Sequence, residues 1–202
     1  MILRPAEPRD ALEVARVHIR TWQVAYRGLV PDEYLDSLNI EDRAARYDFT
    51  DTDASKPCTI LAIADTRIAG FVTTLPSRLA DLPQHGEVGA LYVSPEYWDR
   101  KIGAALIAAG REWLVSQGFA SAYLWLLDGN HRAERFYRLD GWWADGAKQT
   151  DTSRGVALNE LRYRRQLVQL VREDSRLHTP DPARRSKVGW AAGDSDRNAS
   201  IV

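Results

Sequence analysis

Sulfur is scarce in this 202-residue chain, which has one cysteine and one methionine. A lone Cys58 excludes an intrachain disulfide and a cysteine-based zinc cluster, and it is the usage expected of a reducing cytoplasm. No His, Cys and carboxylate grouping has ligand spacing, so no metal is expected. Long apolar runs are also missing: none approaches the ~20 residues of a membrane span, and the amino terminus lacks a basic-then-apolar signal. These absences predict a soluble, cytoplasmic protein with no membrane partner. Neither charge sign prevails, since 27 Lys and Arg stand against 28 Asp and Glu for a net charge of -1. Seven tryptophans without a basic stripe give no nucleic-acid footprint, so nucleic acid is excluded as the main partner.

What is abundant is apolar periodicity. Hydrophobic residues make up 45% of the chain, enough for one core of ordinary domain size. The pattern runs almost unbroken to residue 167 and then stops. Residues 168–202 are rich in Arg, Asp and Ser, carry Pro180 and Pro182, and have too few apolar side chains to offset ordering entropy. The expected organisation is a domain over 1–167 and a polar, disordered tail over 168–202. Leu177 or Trp190 would be the anchors if the tail instead docks on a partner subunit.

Within the domain, strands and helices alternate. A short strand at 2–4 precedes a helix opened by Glu7, Pro8 and Asp10, with Leu12, Ala15, Ile19, Trp22 and Tyr26 at helical spacing. After Gly28 and Pro31 come two helical pieces at 32–38 and 41–47, and then a hairpin of 59–64 and 68–75 across Asp65-Thr66-Arg67. A strand at 87–93, a helix at 102–116 stopped by Gly118, a strand at 123–127, a helix at 131–139, and strands at 142–143 and 156–164 complete a mixed α/β sheet with helices on both faces.

Two segments carry chemistry. Residues 90–107 read strand, tight loop, helix, with Gly103 followed by Ala104 and Ala105. Such a loop turns unpaired N–H groups and the positive end of a helix dipole toward an anion. Downstream, a buried aromatic strand ends at Asp128-Gly129, and Asn130-His131-Arg132-Ala133-Glu134-Arg135-Phe136-Tyr137 follows. Asn130 therefore sits at a strand's carboxyl end beside a helix start, where open α/β sheets hold ligands. On the residues alone, Asn130 could be only a helix cap and Tyr137 only a core ring.

The second segment resembles the N-x-x-A-x-x-F-Y-x-x-x-G-[FW] pattern of the GNAT superfamily of N-acetyltransferases, and the first resembles its [QR]-x-x-G-x-[GA] phosphate loop. Trp22-Gln23-x-x-Tyr26-Arg27-Gly28 is similar to a mostly uncharacterised bacterial subgroup of that family. The resemblance covers roughly residues 1–165 and implies a GNAT-like sheet splayed at its centre, with acetyl-CoA as co-substrate and no metal. By resemblance, Leu91, Tyr92 and Val93 meet the pantetheine arm. Trp98, Asp99, Arg100, Lys101, Ile102, Gly103 and Ala104 form the phosphate loop, Asn130 contacts coenzyme A, and Tyr137 faces its sulfur as the acid.

Two loop positions depart from the family: Trp98 replaces Gln or Arg, and Lys101 replaces the middle glycine. A left-handed Lys101 costs about 1–2 kcal/mol. A catalytically silent acyl-CoA-binding or interaction module is therefore the alternative to an enzyme. For the base, Glu87 is expected to share a strand face with residues 89, 91 and 93, and so to point at the thioester, with His85 as second candidate. Its plain alternative is a solvated strand-end carboxylate hydrogen-bonded to an arginine. Trp22, Tyr26 and Trp125 are expected to line the acceptor pocket, unless they serve the core alone. The acceptor is a small-molecule or peptide amine, and a homodimer is left open.

Overall fold

The protein is described by a computed structural model over residues 1–50, 53 and 56–168. The tail expected beyond Val168 lies outside the described residues.

The elements run β1 (Ile2–Pro5), α1 (Ala11–Ala25), α2 (Asp32–Ser37), α3 (Ile40–Ala44), β2 (Cys58–Ala64), β3 (Arg67–Pro76), β4 (Gly86–Val93), α4 (Ile102–Ser116), β5 (Ser121–Leu127), α5 (His131–Leu139), β6 (Trp143–Asp151) and β7 (Leu158–Gln166). Seven strands form one sheet in the order β1-β2-β3-β4-β5-β7-β6. Every neighbouring pair is antiparallel except β4 and β5, which are parallel. That pair holds together only at Gly86↔Ala122 and Glu87↔Tyr123. Beyond it, β5 pairs only with β7, so the sheet splays open at its centre.

Each helix follows from its apolar face. α1 buries Val14, Ala15, Val17 and Trp22 on one side of the sheet, together with Phe71, Tyr92 and Leu127. α4 and α5 cover the other side, where Ile102, Leu106, Ile107, Leu114 and Tyr137 pack on Val88, Leu91, Val93 and Leu124. The β2–β3 turn places Asp65 and Thr66 at φ 51 and 65, the double left-handed pair that a two-residue hairpin requires. α4 stops where Gly118 takes φ +88.

Three sequence expectations need correction. Leu12 is 39% exposed, because the buried stripe of α1 runs through Val14, Val17 and His18 instead. β6 is nine residues long where only Trp142-Trp143 is expected; its exposed, polar face carries little apolar signal. β7 begins at Leu158, with 152–157 forming the turn back from β6.

Candidate active site

The loop from Ser94 to α4 is built around backbone direction. Ser94 N–H donates to the Ala69 carbonyl at 2.8 Å. In the alternation of an antiparallel ladder, this turns the main-chain groups of Tyr92 toward β3 and those of Leu91 and Val93 toward the splay. The Val93 carbonyl already accepts from Trp98 Nε1 at 2.7 Å and Thr21 Oγ1 at 3.2 Å. Trp98 thus closes the loop by an indole N–H, a task its family counterpart's side chain does not imply. Asp99 and Lys101 both take left-handed φ, 61 and 60, on either side of Arg100. Such alternation turns successive N–H groups into one concavity that suits an anion. Lys101 is also the residue that caps α4, so the positive end of that helix faces the same point.

A cleft of about 760 Å³ opens here between the loop and α5, lined by Trp98, Lys101, Gly103, Arg132, Arg135 and Phe136 among others. Arg132 lies 4.2 Å from the Trp98 ring and donates to Asp99 Oδ1 at 3.2 Å, which ties α5 to the loop. Arg132 and Arg135 are not among the site residues expected from the sequence. The available signal was their repeat on one exposed stripe of a short helix, just after the loop-bearing motif.

Asn130 does two things at once. Its Oδ1 accepts from Ala133 N–H at 3.1 Å and caps α5, while its Nδ2 is buried without a hydrogen-bond partner among the described residues. The capping reading therefore accounts for one end of the amide and leaves a donor over. Tyr137 is fully buried, with its ring 6.0 Å from that of Trp142 and 5.3 Å from that of Phe136. From the opposite face of the sheet, Tyr26 is fully buried too, and its hydroxyl has no hydrogen-bond partner among the described residues. Burial pushes the Tyr26 phenol well above its ordinary value; the Tyr92, Glu160 and Tyr137 groups push the same way and Arg154 opposes them.

Glu87 does not share a face with Leu91 and Val93. A bulge at Gly89, seen in the step from Thr73↔Ala90 to Thr74↔Val88, resets the alternation. Val88 and Leu91 fall on the α4 side, and Glu87 falls with Tyr123 on the other. Its carboxylate is 2% exposed and held from three directions: Arg78 Nε at 3.0 Å, Arg78 Nη2 at 2.5 Å and the Tyr123 hydroxyl at 2.6 Å. The arginine bond of the plain alternative is present at the start of β4, but the pair is buried and not solvated. His85 Nε2 lies 2.7 Å from Arg164 Nη2, and burial together with Arg164 and Arg162 lowers its pKa. Its one acceptor nitrogen is thereby engaged. Cys58 sits in β2, two strands from the splay, with its thiol pushed up by burial.

Of the three expected pocket aromatics, Trp22 lines a second, smaller pocket of about 290 Å³ on the α1 side. Tyr26 packs edge-on to Trp22 at 4.8 Å, below that pocket. Trp125 stands elsewhere, with Tyr123 and Leu82 beneath the β3–β4 connection. No grouping of His, Cys, Asp and Glu fit to hold a metal occurs among the described residues.

The splayed mixed sheet is shared with solved acetyltransferases. The PaiA N-acetyltransferase of Thermoplasma acidophilum, crystallised with coenzyme A, superposes with a TM-score of 0.62 at 20% identity, over 82% of this chain and 98% of that one. In sequence, the profile of the Acetyltransferase (GNAT) family matches residues 19–142, and the chain belongs to that family. It is 30% identical over 131 residues to the uncharacterized N-acetyltransferase YuaI of Bacillus subtilis, 63% of this chain and 72% of that protein. It is also 26% identical over 156 residues to a spermidine N(1)-acetyltransferase of Thermoplasma acidophilum, 75% of this chain and 89% of that protein. Its chemistry is accordingly acetyl transfer, as an enzyme.

Proposed function

We propose that this enzyme moves the acetyl group of acetyl-CoA directly to a primary amine while both are bound. The observation that carries this reading is the splay, which leaves the edge of β4 unpaired by β5 beyond Glu87, next to the left-handed loop into α4 and the cleft lined by Val93, Lys101, Gly103 and Arg132; Asn130 and Tyr137 are read as serving the same opening. The phosphates would lie on the loop N–H groups near Lys101 and Arg132, and the pantetheine amides on the open edge of β4 with the spare Asn130 Nδ2. The amine nitrogen attacks the thioester carbonyl carbon, the carbon–sulfur bond breaks with its electrons on sulfur, and the Tyr137 hydroxyl gives the thiolate its proton. The amine's own proton passes to the Glu87 carboxylate by way of the Tyr123 hydroxyl already donating to it.

Direct transfer is favoured over an acyl-enzyme because the one cysteine is remote and its thiol is held protonated. The acceptor is a small-molecule or peptide amine; the spermidine enzyme among the relatives makes a polyamine one option.

Steady-state rates of thiol release, with acetyl-CoA and amine varied together, should give intersecting double-reciprocal lines. Parallel lines would point to an acyl-enzyme. Acetyl-CoA should also raise the melting temperature by mass action, and no shift at millimolar concentration would leave the proposal without its co-substrate. Tyr137→Phe should lower turnover about ten- to a thousandfold with little change in the KM for acetyl-CoA, and Glu87→Gln should depress it most near neutral pH.

A further inference from the structure

The pocket of about 290 Å³ on the α1 side is walled by three segments distant in sequence: Trp22 and His18 from α1, Arg43 and Arg46 at the end of α3 and beyond it, and Arg154 in the β6–β7 turn. Its polar lining is unevenly charged. Arg154 is the informative member, because its side chain is only 6% exposed. One face of its guanidinium group lies over the Trp22 ring at 5.3 Å, and Nη1 donates to Asp151 Oδ2 at 2.9 Å. Nη2 is buried and has no hydrogen-bond partner among the described residues. A charged donor is seldom left so, since water has been removed from it and nothing returned.

Among the described residues, the other groups facing the pocket do not supply the missing acceptor. Asp151 is committed to Nη1 and to Ser153 N–H at 2.9 Å. Asp42, the one carboxylate among the described residues of the lining, donates its N–H to the Asn39 cap and stands on α3, which also brings Arg43. His18 is held neutral: its pKa is lowered well below the ordinary value by burial, then by Arg43 and Arg154, and Nδ1 meets the Tyr47 hydroxyl at 2.7 Å. Tyr34 feels Arg154, Arg43 and Arg46 together. Three guanidinium groups thus converge where a planar, bidentate anion fits. The wall of the pocket is continuous with β4, whose edge parts from β5 at the splay: His18 lies 4.4 Å from the Tyr92 ring, and Trp22 lies 4.8 Å from Tyr26.

We propose that the acceptor carries a carboxylate as well as its amine, with the carboxylate held by Arg154 between Arg43 and Arg46 and the amine directed past Trp22 and Tyr26 into the splay. This rests on the transferase reading above and narrows its acceptor to aminocarboxylates. A polyamine would bring further positive charge against three arginines, and it is disfavoured for that reason.

The experiment compares pairs of amines: each common L-amino acid and a series of ω-aminocarboxylates, each against its own carboxamide, with thiol release as readout. The amide of an α-amino acid has the less basic, more readily attacking amine, so a preference for the acid must come from recognition. At least one acid should exceed its amide in kcat/KM by about tenfold or more, as a charge-assisted bidentate contact gives. Arg154→Gln should raise KM for that acid by a similar factor, with the amide's KM and the KM for acetyl-CoA unchanged. Arg46→Gln, at an exposed position, should give a smaller rise of the same selectivity and serves if Arg154→Gln fails to fold.

Amides or spermidine acetylated as well as or better than every acid would overturn the inference while leaving the transferase reading intact. So would an equal loss for acid and amide in both variants, which would make the arginines structural. Acetyl-CoA binding without acetylation of any acid overturns it as well, whereas failure of acetyl-CoA to bind removes the transferase reading itself.

Discussion

Lys101 shows at the scale of one residue how a departure from a family pattern becomes a measurable quantity. Its φ of 60 and ψ of 12 put it in the left-handed region, so the conformational term considered from sequence does apply. That term, about 1–2 kcal/mol for a side chain with a Cβ, exceeds the ~0.2–1 kcal/mol that a solvent-screened ammonium returns beside a phosphate. Lys101→Gly should therefore tighten acetyl-CoA binding several-fold in titration calorimetry, and more so at high salt, where the lost charge matters least. Weaker binding at low salt that recovers with salt would instead make Lys101 a phosphate ligand. Asn130 separates two roles as cleanly. Asn130→Asp keeps an oxygen for Ala133 N–H at the helix start, so the melting temperature should hold, but it removes the spare Nδ2 donor and should weaken acetyl-CoA binding about tenfold. Equal affinity would reduce Asn130 to a cap.

Among the elements, β4 decides the site, and half of what it does was legible. Its apolar run and the glycine-ended loop after it mark a buried strand feeding a helix. The bulge at Gly89 is not marked, since an inserted residue leaves composition unchanged, and it alone moved Glu87 off the face of Leu91. β6 escaped notice for a different reason: it is an edge strand with an exposed, polar face, so periodicity has little to report. The contact between β3 and β4 is tight enough to test. A Cβ added at Gly70 would come within 2.6 Å of the Tyr92 carbonyl and 3.1 Å of Leu106 Cδ1. Gly70→Ala should cost about 1–3 kcal/mol in denaturant unfolding and, because the strand edge that faces the splay must shift, raise the KM for acetyl-CoA. A stability loss with KM unchanged would show that the edge is not used for binding.

For the whole molecule, stability should fall on mild acidification, and His18 sets the first step. Its folded pKa lies well below the ordinary 6.5, so the native state keeps it neutral while the unfolded chain takes up a proton. The contribution is complete above pH 6.5 and shrinks as pH falls below it. His18→Gln should therefore be less stable than the parent at pH 8, with the gap in melting temperature narrowing toward pH 5; a constant gap would mean that His18 does not titrate on unfolding. The chain by itself determined the class of fold, the helix bounds of α4 and α5, the tight loop ahead of α4 and the place of Asn130 at the start of α5. Each of these is written in residues close in sequence, where periodicity, capping and turn chemistry act. Only the tertiary structure decided which two strands part at the splay, the capture of Glu87 by Arg78 and Tyr123, and the meeting of Arg43, Arg46 and Arg154. Those depend on burial and charge between segments that no local pattern links, and desolvation acts on a group only once the chain has closed around it.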